Sequence, residues 1–263
     1  MPSGYAHHRF GTQVLQLMPT DVRDTVLRHQ ALFHMGLHGP DFLFFHSFFK
    51  KTPLFRLGSL YHERSGQDFF AGACAHLNAH PSEASSAYLY GLLAHYCLDT
   101  GCHPFVYATT DTSELDHSEL ETEFDRFLMV LDGIKKPHET NISRYLRLKR
   151  NEYDVVAGFY PEISLKDAAA CIRSMALSQR LLTIPTVPGH GAVVLFTQLA
   201  GGNTRGKVMS IGPNPSCCHL NPLLLEHYEQ ARFKFPSLLD QLNHHLTYGK
   251  PFGDDFKPNF NRG

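Results

Sequence analysis

The sequence predicts an all-α protein built as a multi-helix bundle. Apolar residues recur with the 3.6-residue period of an amphipathic helix in many segments, and no region alternates apolar and polar residues through several strands. Serine or threonine precedes several of these segments, as helix N-caps do. Helices with one apolar face bury it against each other, so a bundle is the expected packing.

The predicted helices cover residues 10–18, 21–33, 60–77, 83–108, 115–131, 164–182, 223–233 and 236–248. Thr20, Ser82, Ser113 and Ser164 are the predicted start signals. Residues 36–53 and a long segment, 184–222, break the pattern with Gly and Pro. We expect one helical domain over residues 1–263, with the metal site in 1–131 and a C-terminal helical cap at about 223–248; two domains are the alternative.

Composition excludes several classes of protein. The formal net charge is -1, so the chain has no general positive field for nucleic acid or anionic membranes. No run approaches the roughly 18 apolar residues of a membrane span, and the N-terminus lacks the apolar core of a secretion signal. We therefore expect a cytoplasmic protein without a transmembrane span, whose six cysteines are reduced thiols.

Histidine is unusually frequent, with 18 residues, and its clearest pattern is His95-Tyr-Cys-Leu-Asp99-Thr-Gly-Cys-His103. Residues four apart on a helix rotate by only about 40°, so these three polar groups share one face. The neighbouring residues are apolar, and burying unpaired charge there would be costly. A zinc ion would satisfy imidazole and carboxylate together. The alternative is a His–Asp hydrogen bond in an ordinary core.

A second pair at the same spacing is His117 and Glu121, in the next predicted helix. By itself this pair fits the solvated face of an acidic helix equally well. Two such pairs on consecutive helices favour a shared metal site, because antiparallel neighbours bring their facing sides together.

Three further residues are weak signals individually. Asp41 follows Gly-Pro in a predicted turn, where a cap or turn role is usual, and His62 and His7 fit ordinary surface or half-buried positions.

Taken in order, the motifs resemble the bacterial zinc-dependent phospholipase C family over roughly residues 3–131. The residues that carry the resemblance are Tyr5-Ala6-His7, Gly39-Pro40-Asp41, His62, His95-xxx-Asp99, His103, His117-xxx-Glu121 and the segment 123–128. The resemblance implies a helical bundle of the zinc-dependent phospholipase C type. The similar fungal single-strand nucleases share this fold and its three zinc ions.

The resemblance also implies a ligand set for two to three zinc ions. One zinc would be held by Asp41, His62, His95 and Asp99, and the second by His103, His117 and Glu121. Asp99 would bridge to a third zinc, held also by His7. Secreted members complete the third site with an N-terminal tryptophan. This chain has no tryptophan, so the amine of Pro2 or the ring of His8 would have to replace it.

The implied activity is that of a zinc-dependent phosphodiester hydrolase, with Asp41 as the catalytic residue that orients or deprotonates water. Its substrate would be a small phosphodiester or a phospholipid head group, and residues 42–49 would be either a lipid-accepting rim or core. The alternatives are a single-strand nuclease-like phosphodiesterase, disfavoured by the charge, and a non-catalytic metal-binding or scaffold protein. The sequence carries no signal for an oligomeric state.

Overall fold

The computed structural model describes residues 4–47, 52–183, 189 and 206–261. Its α-helices are α1 Gly4–Leu15, α2 Thr20–Arg28, α3 Gln30–Gly36, α4 Pro53–Glu63, α5 Gly66–Ala79, α6 Glu83–Asp111, α7 His117–Leu131, α8 Glu152–Gly158, α9 Leu165–Leu182 and α10 Asn221–Tyr248. Short 3-10 helices lie at Gly39–Phe45, Pro137–Glu139, Ile142–Leu146, Cys218–Leu220 and Asp254–Phe256. The described residues contain no β-strand, which confirms the all-α prediction.

Two predicted helices are each divided in two. The backbone of His29 leaves the helical region between α2 and α3, with φ -126° and ψ 40°. Ser65 separates α4 from α5, and its side chain accepts a hydrogen bond from the Asp68 amide as an N-cap. Apolar periodicity continues through both breaks, so it does not reveal them.

The opposite error occurs at the C-terminus, where the two helices predicted around Pro236 form the single helix α10. A proline inside a helix removes one hydrogen bond and crowds the preceding turn. The side chains on either side of Pro236 are fully or almost fully buried, namely those of Phe235, Leu238 and Leu239. Their burial outweighs the local cost of the proline.

The start signals have mixed outcomes. Ser82 and Ser164 are N-caps, accepting hydrogen bonds from Ser85 and Asp167 amides, as predicted. α7 begins after Asp116 instead of Ser113, and Thr20 is already the first residue of α2, which has no side-chain cap. The short helix α8 was not predicted, because its 7 residues are too few to show a period.

Helix α6 is the centre of the bundle, where α3 and α10 pack against it most extensively. Gly36 of α3 and Gly91 of α6 allow the backbones to touch: a Cβ on Gly36 would collide with the Tyr88 carbonyl, and one on Gly91 with the Phe33 carbonyl. This close crossing brings the chain that follows α3 directly over His95.

One buried apolar cluster runs from Tyr5 in α1 to Phe260 near the C-terminus. Because α10 contributes Leu238 and Leu242 to this cluster, we propose that the chain folds as one domain. Of the predicted loop 184–222, residues 184–188 and 190–205 lie outside the described residues. No helix among the described residues is long and apolar enough to cross a membrane. All six cysteines are unpaired thiols, and five are buried.

Candidate metal centre

Three groups of side chains in the described residues could hold a metal ion, and together they contain all eight predicted ligands. We call them the inner group (Asp41, His62, His95), the linking group (His7, His95, Asp99) and the outer group (His103, His117, Glu121). Within each group, one ligand atom per residue lies within 4.8 Å of the others. His95 belongs to the inner and the linking groups and so joins these two.

The inner group is buried and its histidine rings are held in fixed orientations. His62 Nδ1 lies 2.7 Å from the Gly58 carbonyl oxygen, and His95 Nδ1 lies 3.1 Å from the Leu37 carbonyl oxygen. Because Nδ1–H donates to a carbonyl, the Nε2 lone pair is left for a metal. Nε2 of His62 is 2.9 Å from Asp41 Oδ1.

The inner group depends on the absence of a side chain at Gly39. It has φ +48°, a left-handed conformation that suits glycine, and a Cβ there would collide with the ring of His95. The 3-10 helix that begins at Gly39 then carries Asp41, which is 1% exposed. Sequence analysis did not single out Gly39 for this role, although its Gly-Pro-Asp context was noted.

Asp99 joins the linking group to the outer group. Its Oδ2 is 3.1 Å from His95 Nε2, and its Oδ1 is 3.2 Å from His7 Nε2 and 3.8 Å from His103 Nε2. The three polar residues of α6 therefore share one face, as their spacing predicts.

The position of His7 depends on α7. Both carboxylate oxygens of Asp125 accept hydrogen bonds at the start of α1, from the amides of Tyr5 at 3.0 Å and Ala6 at 2.6 Å. This cap fixes the first turn of α1 and so directs His7 towards Asp99. Asp125 lies inside the segment 123–128 that carries the family resemblance, but sequence analysis did not assign it a role.

The outer group lies between α6 and α7 and is partly open. His117 Nε2 is 2.9 Å and His103 Nε2 is 3.3 Å from Glu121 Oε1. The side chain of His117 is 21% exposed, whereas those of His103 and Glu121 are buried. Nδ1 of His103 is 2.6 Å from the Phe260 carbonyl oxygen, so the C-terminal segment orients this ring. No sequence signal indicated Phe260.

Charge within the centre shifts its pKa values in the metal-free protein. Burial alone would lower the pKa of His103, but the carboxylates of Asp99 and Glu121 outweigh it and raise this pKa to about 9. Burial likewise opposes charge on Asp99, yet His103 and His95 hold the pKa of its carboxyl well below the usual range. Burial lowers the pKa of His7 despite its contact with Asp99.

The residues present fit zinc. Asp41 Oδ1, His95 Nε2 and Asp99 Oδ2 are buried without a hydrogen-bond partner among the described residues, although each lies about 3 Å from another ligand atom. Close ligand atoms that make no hydrogen bonds with each other are the arrangement expected around a cation. Imidazole nitrogen and carboxylate oxygen are ligands that zinc accepts.

A family model described as zinc-dependent phospholipase C matches residues 6–162, more than half of the chain. The chain belongs to the zinc-dependent phospholipase C family. The match extends past residue 131, where the resemblance in the sequence fades, and includes α8. No curated protein and no solved structure gives a match.

His8 and Pro2 are the two predicted replacements for the tryptophan ligand in this phospholipase C family member. His8 is outside all three groups: its ring stacks on Tyr145 at 3.5 Å and contacts His34, because it points away from His7 on α1. His8 therefore lies apart from the described ligand groups, and its role as a substitute ligand stays a prediction. Pro2 lies outside the described residues.

The predicted lipid rim is divided. Phe42 and Leu43 belong to the core, while Phe44 is half-buried with its ring 5.2 Å from that of His62. Residues 48–51 lie outside the described residues.

Proposed function

We propose that this protein is a zinc-dependent phosphodiester hydrolase that acts on phospholipid head groups and uses two to three zinc ions. The observation that carries the proposal is the joined set of three ligand groups, buried on one side and open at His117 on the other. A structural zinc site is closed by protein ligands, whereas a catalytic one keeps an accessible position.

The proposed ligands follow the three groups. The inner group with Asp99 would hold one zinc, the outer group a second, and His7 with Asp99 a third. Zinc bound there would offset the negative charge of a phosphodiester and lower the pKa of a nearby water.

The side chains have distinct proposed roles around the substrate. Asp41 orients the attacking water and accepts its proton, since its buried Oδ1 accepts no hydrogen bond from a described residue and lies 2.9 Å from His62 Nε2. The carbonyl contacts of His62, His95 and His103 hold the rings still, so that the charge distribution is already in place when the substrate binds. His117 marks the side from which a phosphodiester can approach.

Phospholipid is favoured over nucleic acid as the substrate. A half-buried phenylalanine, Phe44, lies beside the centre, and a net charge of -1 provides no general attraction for a polyanion. A single-strand nuclease would need aromatic platforms with basic neighbours.

Zinc content and hydrolysis test this proposal together. Elemental analysis of protein purified without added metal should find two to three zinc ions per chain, fewer in His95→Ala and His117→Ala, and the wild-type number in the surface control His244→Ala. The zinc-loaded protein should hydrolyse short-chain phosphatidylcholine or phosphatidylglycerol faster than a single-stranded oligonucleotide.

Asp41→Asn tests the catalytic assignment. This isosteric change should reduce hydrolysis by roughly 10²- to 10⁴-fold, the usual contribution of a general base. Full activity with full zinc content would remove the role of Asp41. Zinc bound in wild-type protein that hydrolyses no phosphodiester would overturn the enzymatic proposal in favour of a metal-binding protein.

A further inference from the structure

A small cavity with a mixed polar and apolar lining lies beside α7, near the metal centre. Its volume is about 80 Å³, and its lining includes Gly4, Ser118, Thr122, Gln179 and Lys207. Ser118 and Thr122 directly follow His117 and Glu121 in α7, and Gly4 lies one turn before His7 in α1. The cavity is therefore lined by residues adjacent in sequence to two ligands of the outer group and one turn from His7, while none of the eight proposed ligands is among its described lining residues.

The segment that carries Lys207 is fixed against α7. Gly206 has φ +78°, and a Cβ there would lie 2.6 Å from the Glu119 amide nitrogen. Further along, the Asn214 amide donates to Glu123 Oε2 at 3.0 Å, and its side chain donates to Glu119 Oε1 at 2.9 Å. Gly206 and Asn214, which lie on either side of Lys207 in the sequence, therefore both lie against α7.

Lys207 provides an unmatched positive charge in the cavity. It is the only lysine or arginine among the described lining residues, and it forms no ion pair with a described residue. Burial lowers its pKa, and the nearby charge of Asp116 only partly opposes this. Asp125, the carboxylate in the lining, already accepts the amides of Tyr5 and Ala6.

Two hydroxyl groups of α7 lie in the lining together with apolar side chains such as Met129 and Ile142. Ser118 and Thr122 use their side-chain hydroxyls in no hydrogen bond with the described residues, so both can donate to a ligand. One ammonium group and two hydroxyl donors in the lining of one small cavity suit a compact anion, because charge-assisted hydrogen bonds are the strong ones.

We infer that Lys207, with Ser118 and Thr122, forms a subsite for a terminal anionic group of the substrate, such as a phosphate at the far end of a phospholipid head group. This inference rests on the proposed function, since it assigns the head group of the same reaction to a cavity beside the metal ligands. It makes Lys207 a specificity-determining residue.

Two matched substrates test the inference. Short-chain phosphatidylglycerol phosphate and short-chain phosphatidylglycerol differ only in a terminal phosphate. The zinc-loaded wild type should prefer the phosphate-bearing lipid in kcat/KM, and Lys207→Met should lower that preference by roughly 10- to 100-fold, the range for losing a hydrogen bond to a charged group. Activity on phosphatidylglycerol should stay near wild type. Lys207→Arg should keep most of the preference, and the exposed control Lys166→Met should keep all of it.

Binding separates this inference from the proposed function. Titration calorimetry with glycerol bisphosphate and glycerol phosphate on zinc-loaded protein measures the same preference without any reaction. A preference that Lys207→Met removes would support the subsite even if no lipid were hydrolysed. Equal affinity of both variants for the bisphosphate, or an equal loss of activity on both lipids, would overturn the inference.

Discussion

The inner and outer groups of the metal centre use the same ligand types in different surroundings. In the inner group, Asp41, His62 and His95 are almost completely buried, and both rings are anchored by main-chain carbonyls. In the outer group only His103 is anchored by a main-chain carbonyl among the described residues, and His117 is partly exposed. One end of the centre is closed by the fold and the other faces solvent.

This difference indicates that the two ends of the centre have different roles. Buried, anchored ligands preserve geometry, because their orientation is set by backbone contacts before any metal arrives. In the proposed function the open edge is where a substrate approaches, and the cavity with Lys207 is lined by other residues of the same helix, α7. The difference between the two groups should be lost most completely when Asp99, which lies between them, is removed.

Removing Asp99 should have the largest effect, because its carboxylate lies near His7, His95 and His103 together. Asp99→Ala should leave at most one zinc per chain and reduce hydrolysis by about 10²-fold or more, at or beyond the upper end of the cost of losing a supporting residue. Elemental analysis and a phosphodiester assay measure both. The exposed variant Asp24→Ala is the control, and two zinc ions retained in Asp99→Ala would contradict the joined centre.

Gly39→Ala should disturb the inner group selectively. The alanine would have to adopt φ +48° and its Cβ would meet the His95 ring, which should cost about 1–3 kcal/mol of unfolding free energy or more. Chemical denaturation measures the loss. Gly72→Ala, in a helix and with nothing within 4 Å, should instead be neutral or stabilise by about 0.5–1 kcal/mol. Similar behaviour of the two variants would contradict the close contact.

The smallest expected effect is the change of zinc affinity with pH. It depends on His103 in the outer group. With its pKa raised to about 9, His103 is protonated in the metal-free protein at pH 7. This proton stabilises the metal-free fold fully below pH 6.5, and that contribution is lost as pH rises through 9. Zinc needs the neutral ring, so its affinity should rise towards pH 9 by about tenfold per unit for each proton displaced.

Calorimetry in two buffers of different ionisation enthalpy measures the protons released on zinc binding. At least one proton per chain is expected at pH 7. Zinc binding at pH 7 without proton release would show that the carboxylates do not raise the pKa of His103.

Local patterns predicted that the three polar residues of α6 share one face, and the structure confirms this arrangement. His95, Asp99 and His103 share a face because residues four apart in a helix always do, and His117 and Glu121 repeat this on α7. Asp41, His62 and His7 had no such signal; only the family resemblance pointed to them. They reach the centre from three other elements, and no helical period relates residues on different elements.

The supporting contacts depend on long-range packing and could not be predicted. Asp125 caps α1 from α7, and the Phe260 carbonyl orients His103 across a sequence separation of 157 residues. The predicted helix boundaries at His29, Ser65 and Pro236 were also wrong. Burial around Pro236 outweighed the local signal, whereas the cap at Ser65 is a local contact that continuous apolar periodicity concealed.

The sequence by itself determined the helical class, the buried polar face of α6 and the types of ligand, because amphipathic periodicity and side-chain chemistry are local properties. Only the tertiary structure decided how the three groups join and which side stays open. The glycine contact between α3 and α6 brings the Leu37 carbonyl to His95, and the turn at Gly206 lies against Glu119 of α7. Both depend on backbone surfaces meeting in space, which the order of residues along the chain does not encode directly.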